Sequence, residues 1–161
     1  MCMAIGTDRL EIEAVVRQII KETINKDLLC IPVGVSNRHV HLCRKDADVL
    51  FGSGYELTCY RELSQKGFFA AEETVVVAGP RGAISKVRLL GPLRDQTQIE
   101  LLVSDRNILG IQMPVRDSGV LGESPLLTII GPNGTVLNNT GAMAAWRHIH
   151  MQTEEASALK L

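Results

Sequence analysis

The first segment of the chain carries apolar residues at helical spacing. Between Thr7 and Asn25 they recur every three or four positions, with charged residues between them. They are Ile12, Val15, Val16, Ile19 and Ile20. Such a stripe is typical of an amphipathic helix. The polar run Asn25-Lys26-Asp27 ends the pattern, so residues 1–27 are predicted to form a helical segment attached to the body of the protein.

From Leu28 onward the pattern changes to short apolar and β-branched runs separated by glycine and proline. The clearest runs are Thr74 to Ala78, Ala83 to Leu90, Gln98 to Val103 and Leu126 to Ile130. Runs of this kind predict β-strands. The turn Gly79-Pro80-Arg81-Gly82 recurs as Gly131-Pro132-Asn133-Gly134, which predicts two similar hairpins. The body is therefore predicted to be mainly β with short helices, an α+β fold.

A longer repeat relates the middle of the chain to its end. The segment Arg38-His39-Val40-His41-Leu42 returns as Arg147-His148-Ile149-His150-Met151. The residues that follow also align, and they predict a helix a few residues after each histidine pair. Residues 28–146 are therefore predicted to form a first domain. Residues 147–161 are predicted to begin a second copy, whose remainder is expected to be missing from this chain.

Composition and charge narrow the classes of partner. The 161 residues have a formal net charge of -1 and only 4% aromatic side chains. Without a basic field or a set of stacking rings, nucleic acid is not expected as a partner. No apolar run approaches the roughly 20 residues of a membrane helix, so no membrane partner is expected. The four cysteines form no C-x-x-C pair and indicate reduced thiols in the cytosol.

The four histidines of the chain all occur as His-x-His pairs, His39 with His41 and His148 with His150. On a strand, residues i and i+2 point to the same face, so each pair can direct two imidazoles at one point. Neutral imidazole is the commonest nitrogen ligand of zinc. The alternative interpretation is that each pair faces solvent or packs with hydrogen bonds. Two matched pairs favour the metal.

A zinc site needs further ligands, and a catalytic ion keeps one position open. Glu100 is the favoured carboxylate, because it lies in the strand-like run Gln98-Ile99-Glu100-Leu101 among apolar neighbours, where an unpaired charge is costly. Glu72 and Glu73 are alternatives, but their setting equally fits a capped surface turn, which is the favoured interpretation for them.

Two arginines are candidates for anion binding, because a guanidinium offers a planar fork of donors that suits phosphate. They are Arg94, in Gly91-Pro92-Leu93-Arg94-Asp95, and Arg116, in Pro114-Val115-Arg116-Asp117-Ser118-Gly119. Each stands next to an aspartate, so a surface ion pair is the alternative for both.

Four motifs, in order along the chain, resemble the PduL-type phosphate propanoyltransferases over residues 30 to 155. They are Ile31 to Leu42, Ala70 to Thr74, Pro114 to Gly119 and Arg147 to Met151. The resemblance implies two β-barrel-like domains flanked by short helices, with two zinc ions where the domains meet.

The resemblance also implies roles for single residues. His39, His41 and Glu100 would hold one zinc ion, and His148 and His150 the second, with a third histidine that has no counterpart in this chain. Arg94 would bind phosphate. The residues implied to contact coenzyme A are Ser36, Arg61, Arg88 and Leu90.

The implied activity is a phosphate acyltransferase that interconverts propanoyl- or acetyl-coenzyme A plus phosphate with the acyl phosphate plus coenzyme A. The family is associated with bacterial microcompartments that oxidise aldehydes, as in propanediol degradation. The protein is therefore expected in the bacterial cytoplasm inside a microcompartment. The favoured interpretation of the N-terminal helix is binding to shell or core proteins, and the alternative is an extra helix that packs on the body. A homo-oligomer is also expected.

Two other functions remain open from the residues alone. A zinc-dependent hydrolase of thioesters or phosphoesters could use the same ions to activate water. A non-catalytic module could use the histidine pairs as a structural zinc clamp with four protein ligands and no open position.

Overall fold

The computed structural model describes residues 36–151, 153–158 and 160, together with 13–15 and 18. Residues 13–15 and 18 are helical, and the rest of the predicted N-terminal helix lies outside the described residues. Residues Ser36–Thr153 form one compact unit. No helix in the described part of the chain is long and apolar enough to cross a bilayer.

The compact unit is mainly β with few short helices, which confirms the predicted class. The strands are β1 (His39–His41), β2 (Cys59–Glu62), β3 (Phe69–Ala78), β4 (Ala83–Gly91), β5 (Gln98–Glu100), β6 (Val115–Arg116), β7 (Leu127–Ile130), β8 (Thr135–Asn138) and β9 (Ala142–Ala145). The helices are α1 (Arg44–Phe51), α2 (Asp105–Leu109) and α3 (Thr153–Ala158). As predicted, a helix begins three residues after each histidine pair.

The described strands form a curled half-barrel sheet in the order β6-β9-β5-β1-β4-β3-β7-β8, with β2 on β3. Strand β1 lies between β4, to which it is parallel, and β5, to which it is antiparallel. In this register His39 pairs with Arg88 on one side and with Glu100 on the other. The sheet thus brings together three polar residues that are far apart in sequence.

The two predicted hairpins are confirmed. Strands β3 and β4 pair antiparallel, as do β7 and β8. Each turn closes with the same hydrogen bond over 2.9 Å, from Gly79 N–H to the Gly82 carbonyl and from Gly131 N–H to the Gly134 carbonyl.

Each hairpin turn contacts the end of a helix that lies outside the hairpin's own half of the unit, where the first half contains β1 to β4 with α1 and the second contains β5 to β9 with α2. The N–H of Arg81 donates to the Leu109 carbonyl at the end of α2, and the N–H of Asn133 donates to the Leu50 carbonyl in the last turn of α1, both over 3.0 Å. The hairpin turn of each half therefore covers the end of the helix of the other half.

Side chains just before β1 and β5 make the same kind of contact between the two halves, each to the helix of the other half. Arg38 precedes β1 and forms two 2.7 Å hydrogen bonds with Asp105 at the start of α2. Thr97 precedes β5 and donates to Asp46 in the first turn of α1 over 2.6 Å. The strand-helix units β1–α1 and β5–α2 are thus structural repeats, a relation that the sequence analysis did not detect.

Two local predictions were wrong. The strand predicted from Gln98 to Val103 ends at Glu100, because the N–H of Leu102 donates to the Asp105 carboxylate and the chain turns into α2. Glu72 and Glu73 lie inside β3 rather than in a capped turn. The register of β3 against β4 shifts between Ala70 and Thr74, an irregularity that their sequence does not reveal.

Small and aliphatic side chains fill the core, as the scarcity of aromatic residues requires. The centre of the sheet contributes Val40 from β1 and Ile99 from β5, both fully buried, and the helices contribute Leu50 and Leu109. Since neighbouring residues on a strand point to opposite faces, burial of Val40 and Ile99 on the core side turns the flanking polar residues of β1 and β5 to the other face.

Candidate metal and anion site

His39 and His41 on β1 and Glu100 on β5 form a compact cluster. Their ligand atoms all lie within 4.8 Å of one another. The three residues are nearly buried, with 9%, 3% and 7% of their surfaces exposed. The cluster follows from the sheet, because i and i+2 on β1 share a face with the residue paired opposite His39. The structure therefore brings together the three ligands predicted for the first ion.

One nitrogen of His39 is fixed by the backbone and the other faces the carboxylate. Nδ1 lies 2.9 Å from the Asn37 carbonyl oxygen, so it donates its proton there. Nε2 lies 3.4 Å from Glu100 Oε2. With Nδ1 held by a carbonyl, Nε2 donates to Glu100 when the ring is protonated and offers its lone pair to a metal when the ring is neutral, the second being the usual arrangement around a bound metal.

His41 is held as a neutral imidazole. Burial lowers its pKa to about 3, and the positive charge of Arg94 acts in the same direction. Its Nδ1 is buried and no described residue meets it in good hydrogen-bond geometry, although the backbone of Leu90 acts on the ring against the lowering of the pKa. A buried polar nitrogen without a partner is unfavourable, and a metal ion would satisfy it.

Glu100 is held as a carboxylate. Burial alone would raise its pKa, but the hydrogen bond and charge of His39, together with a hydrogen bond from Ser118, outweigh that effect and lower the pKa to about 2. The Ser118 hydroxyl donates to Oε1 over 2.7 Å. Two imidazoles and an ionised carboxylate are a donor set that zinc accepts, and three protein ligands leave a position open.

Arg94 is joined to this cluster by Gln98. Its backbone N–H donates to the Leu42 carbonyl over 2.9 Å, and its Nη1 donates to Gln98 Oε1 over 3.0 Å. Gln98 Nε2 in turn donates to Glu100 Oε1. The Arg94 guanidinium is thus fixed near the metal ligands and, among the described ion pairs, it is not paired with the neighbouring Asp95.

Arg116, the second predicted anion ligand, is used differently. Its Nη2 donates to the Glu123 carbonyl, and no described hydrogen bond joins it to the histidine cluster. Glu73, an alternative ligand, instead accepts from the Tyr55 hydroxyl over 2.9 Å and from the Thr58 N–H. Neither residue belongs to the metal cluster among the described residues.

The second histidine pair lies outside the described strands but repeats one contact of the first. Nδ1 of His148 lies 2.6 Å from the Trp146 carbonyl oxygen, two residues back, as His39 does with Asn37. The Nε2 atoms of His148 and His150 converge to 3.0 Å. Burial and the charge of His148 lower the pKa of His150, and Glu100, Arg94 and His39 also act on it. The pair is exposed but lies within electrostatic reach of the first cluster.

Of the residues implied to contact coenzyme A, Ser36, Arg88 and Leu90 lie just before β1 or on its neighbour β4, whereas Arg61 lies on β2, on the far side of β3. Ser36 is exposed and stands three residues before His39, while Arg61 is exposed on β2. Arg88 on β4 donates from Nη1 to the carbonyls of Ala71 and Glu72, and its guanidinium lies 5.5 Å from the centre of an exposed tyrosine ring. Leu90, also on β4, is half buried.

Two functional candidates were not assigned a role from the sequence. Gln98 appeared only in the strand-like run that contains Glu100, and Ser118 lies in one of the four motifs. Both contact Glu100 Oε1, and Gln98 is 2% exposed. A buried glutamine two positions before a predicted ligand was the available signal, because such an amide needs polar partners.

Comparison with known proteins matches most of the chain to one family. The family model described as phosphate propanoyltransferase matches residues 32–161. The phosphate propanoyltransferase of Thermotoga maritima is 55% identical over 126 residues, which cover 78% of this chain and 60% of that protein. That of Rhodopseudomonas palustris is 54% identical over 131 residues, covering 81% and 58%. That of Rhodobacter capsulatus is 48% identical over 154 residues, covering 91% and 72%. The chain thus spans about three fifths of the length of the first two relatives.

Proposed function

Because the chain belongs to the phosphate propanoyltransferase family, we propose that it transfers a propanoyl or acetyl group between coenzyme A and phosphate with the help of bound zinc. The observation that carries the proposal is the near-buried cluster of His39, His41 and Glu100, to which the Arg94 guanidinium is joined through one glutamine. Metal ligands beside a phosphate-binding group suit a reaction between phosphate and a thioester carbonyl.

The first zinc ion would be held by His39, His41 and Glu100. The lowered pKa values of His41 and Glu100 keep the imidazole neutral and the carboxylate ionised at neutral pH, which are the forms that bind zinc. The convergence of His148 and His150 supports a role in a second ion. When bound, zinc supplies Lewis-acid stabilisation of negative charge on oxygen or sulfur.

The residues of the chain would orient the two substrates. An oxygen of phosphate attacks the thioester carbonyl, the new C–O bond forms, the C–S bond breaks, and the coenzyme A thiolate leaves and takes a proton from solvent. Arg94 would bind and partly neutralise the phosphate, so that its approach to the acyl group becomes effectively intramolecular. The near burial of the site keeps water away from the acyl group.

Ser36, Arg61, Arg88 and Leu90 would bind coenzyme A. The position of Arg88 directly beside His39 in the sheet supports this role, because a ligand lying along β4 would extend towards the metal ligands. Ser36 precedes β1 on the same chain segment as His39. The thioester end of the ligand would then reach the region between Arg94 and the histidine cluster.

The deciding experiment is release of coenzyme A from propanoyl- and acetyl-coenzyme A with and without phosphate, in the presence of zinc. The proposal expects release that depends on phosphate, with formation of the acyl phosphate, and loss of the activity in Arg94→Met. The variant Arg116→Met is the matched control, since Arg116 lies outside the cluster. Thiol release that is independent of phosphate would instead support a hydrolase, and no release from a zinc-loaded protein would support a structural module.

The same family membership motivates proposals about location and assembly. Residues 1–27 would direct the protein into a bacterial microcompartment by binding shell or core proteins, in keeping with their amphipathic pattern. The protein would form homo-oligomers, and residues 147–161 would belong to a second barrel-like domain. A fluorescent protein fused to residues 1–27 should enter the shells, and the control fusion, in which serine replaces the residues of the apolar stripe, should stay outside. The targeting role would be refuted if the unaltered fusion also stayed outside.

A further inference from the structure

The side chain of Gln98 links the two halves of the proposed reaction site. It accepts a hydrogen bond from Arg94 Nη1 over 3.0 Å through Oε1, and it donates one to Glu100 Oε1 through Nε2. The opposite orientation of the amide would set its NH2 group against a guanidinium and its oxygen against a carboxylate. The two neighbours therefore fix the amide in one orientation, and the amide fixes both neighbours.

These contacts give the two carboxylate oxygens of Glu100 different roles. Oε1 accepts from Gln98 and from Ser118. Oε2 faces His39 Nε2 over 3.4 Å. With Oε1 occupied by two donors, the carboxylate is turned so that Oε2 is the oxygen directed at the metal cluster. Gln98 is 2% exposed, so water does not readily replace its contacts.

We propose that Gln98 is a positioning residue that holds the phosphate-binding guanidinium of Arg94 and the metal-binding carboxylate of Glu100 at a fixed separation and orientation. The inference rests on the proposed function, because it takes Arg94 as the phosphate ligand and Glu100 as the metal ligand. In this role Gln98 would act through Arg94 and Glu100 rather than on substrate or metal directly. Its role is to couple them, so that a change at Gln98 alters phosphate binding and metal geometry together.

The test compares Gln98→Met with Ser118→Ala. Methionine has a length similar to that of glutamine but removes both the donor and the acceptor. Ser118→Ala removes a donor to Glu100 and a long 3.4 Å contact with Gln98 Nε2, but it keeps the hydrogen bonds of Gln98 to Arg94 and Glu100. The exposed Gln112→Met is the control for the same substitution elsewhere. Three measurements are made: kcat/KM for phosphate and KM for the acyl-coenzyme A, the visible absorption of the Co²⁺-substituted protein, and calorimetric titration of the metal-free protein with inorganic phosphate.

For Gln98→Met we expect kcat/KM for phosphate to fall about 10–100-fold, the loss typical of residues that orient metal ligands. The KM for the acyl-coenzyme A should not change, the Co²⁺ absorption bands should shift, and phosphate binding to the metal-free protein should weaken. Ser118→Ala should shift the Co²⁺ bands without weakening phosphate binding to the metal-free protein. The control should match the parent protein in all three measurements.

Unchanged Co²⁺ bands or unchanged phosphate binding in folded Gln98→Met would overturn the inference. If that variant does not fold, Arg94→Lys tests the link from its other end: it keeps the charge but disrupts the contact with Gln98, and it should shift the Co²⁺ bands although Arg94 is not a metal ligand. The spectroscopic and calorimetric measurements need no turnover. The parent protein could show no phosphate-dependent turnover while Gln98→Met still shifts the Co²⁺ bands and weakens phosphate binding. In that case the proposed reaction fails and the coupling by Gln98 stands.

Discussion

A carboxylate on a strand among apolar neighbours is unfavourable without partners, and this argument selected Glu100 from the sequence. The spacing of His39 and His41 supplied the other two ligands. The contacts of Glu100 could not be predicted in the same way. Ser118 reaches it from a distant loop, and such long-range contacts depend on the path of the chain rather than on local spacing.

The variant Glu100→Gln should weaken zinc binding by at least about tenfold, since the charged oxygen facing His39 is replaced by a neutral amide. The zinc affinity can be measured by competition with a chromophoric chelator. Glu72→Gln, an exposed position on β3, is the matched control and should leave the affinity unchanged. Equal affinities for the parent protein and Glu100→Gln would remove Glu100 from the ligand set.

Arg38 and Asp105 form an ion pair whose carboxylate is completely buried while 31% of the arginine side chain is exposed. Removing one partner of a buried pair leaves the other charge uncompensated. Asp105→Ala should therefore lower the free energy of unfolding by about 3 kcal/mol, near the lower limit for buried pairs because the arginine stays partly hydrated. Urea unfolding would measure it.

The control for that experiment is Asp95→Ala, at an exposed carboxylate next to Arg94, which should change the free energy of unfolding by less than about 0.5 kcal/mol. If Asp105→Ala lowers the free energy of unfolding no more than this control does, solvent screens the pair as it screens a surface ion pair. The pair would then not stabilise the contact between β1 and α2.

At the scale of elements, the glycine-proline turns and β-branched runs predicted both hairpins, and the alignment after each histidine pair predicted the helix starts. The repeat between β1–α1 and β5–α2 was not predictable in this way. Its sequence agreement is confined to a pattern such as His-Val-His-Leu against Gln-Ile-Glu-Leu, in which the polar residues differ because they carry different parts of the site. The shared feature is the crossing contacts, Arg38 to Asp105 and Thr97 to Asp46.

The first glycine of each hairpin turn allows the turn to dock on a helix end. A Cβ at Gly131 would lie 2.6 Å from the Leu50 carbonyl oxygen, and one at Gly79 would lie 2.5 Å from the Leu109 carbonyl oxygen. Because backbone atoms cannot rotate away, Gly131→Ala and Gly79→Ala should each lower the free energy of unfolding by about 1–3 kcal/mol. Thermal or urea unfolding would measure the loss.

Ser85→Ala, an exposed change in the β3–β4 hairpin, is the control and should be nearly neutral. Because the two turns make equivalent contacts with α1 and α2, the two glycine variants should have similar effects. A large loss in only one of them would show that the reciprocal docking is not equally important in the two halves.

At the scale of the whole molecule, the candidate site for the first metal ion also links β1 to β5 in the sheet. Its ligands come from β1 and β5, which belong to the two repeated strand-helix units and pair antiparallel. The class of fold followed from the pattern of apolar runs and turns, and the absence of a basic or acidic field followed from composition. The position of the site at the junction of the repeats did not, since it depends on which strands become neighbours in the sheet.

A ligand that binds the native state alone stabilises it, so zinc at 100 times its dissociation constant should add about 2.7 kcal/mol to the free energy of unfolding. For a chain of this size that corresponds to a rise in Tm of roughly 5–10 °C. The double variant His39→Ala with His41→Ala should lose most of this rise in Tm, because the first cluster is nearly buried and joins β1 to β5. The double variant His148→Ala with His150→Ala should keep the part of the rise that comes from the first cluster, since the second pair is exposed. Differential scanning calorimetry with and without zinc measures both, and an equal loss in the two double variants would show that the pairs bind as a single cooperative centre.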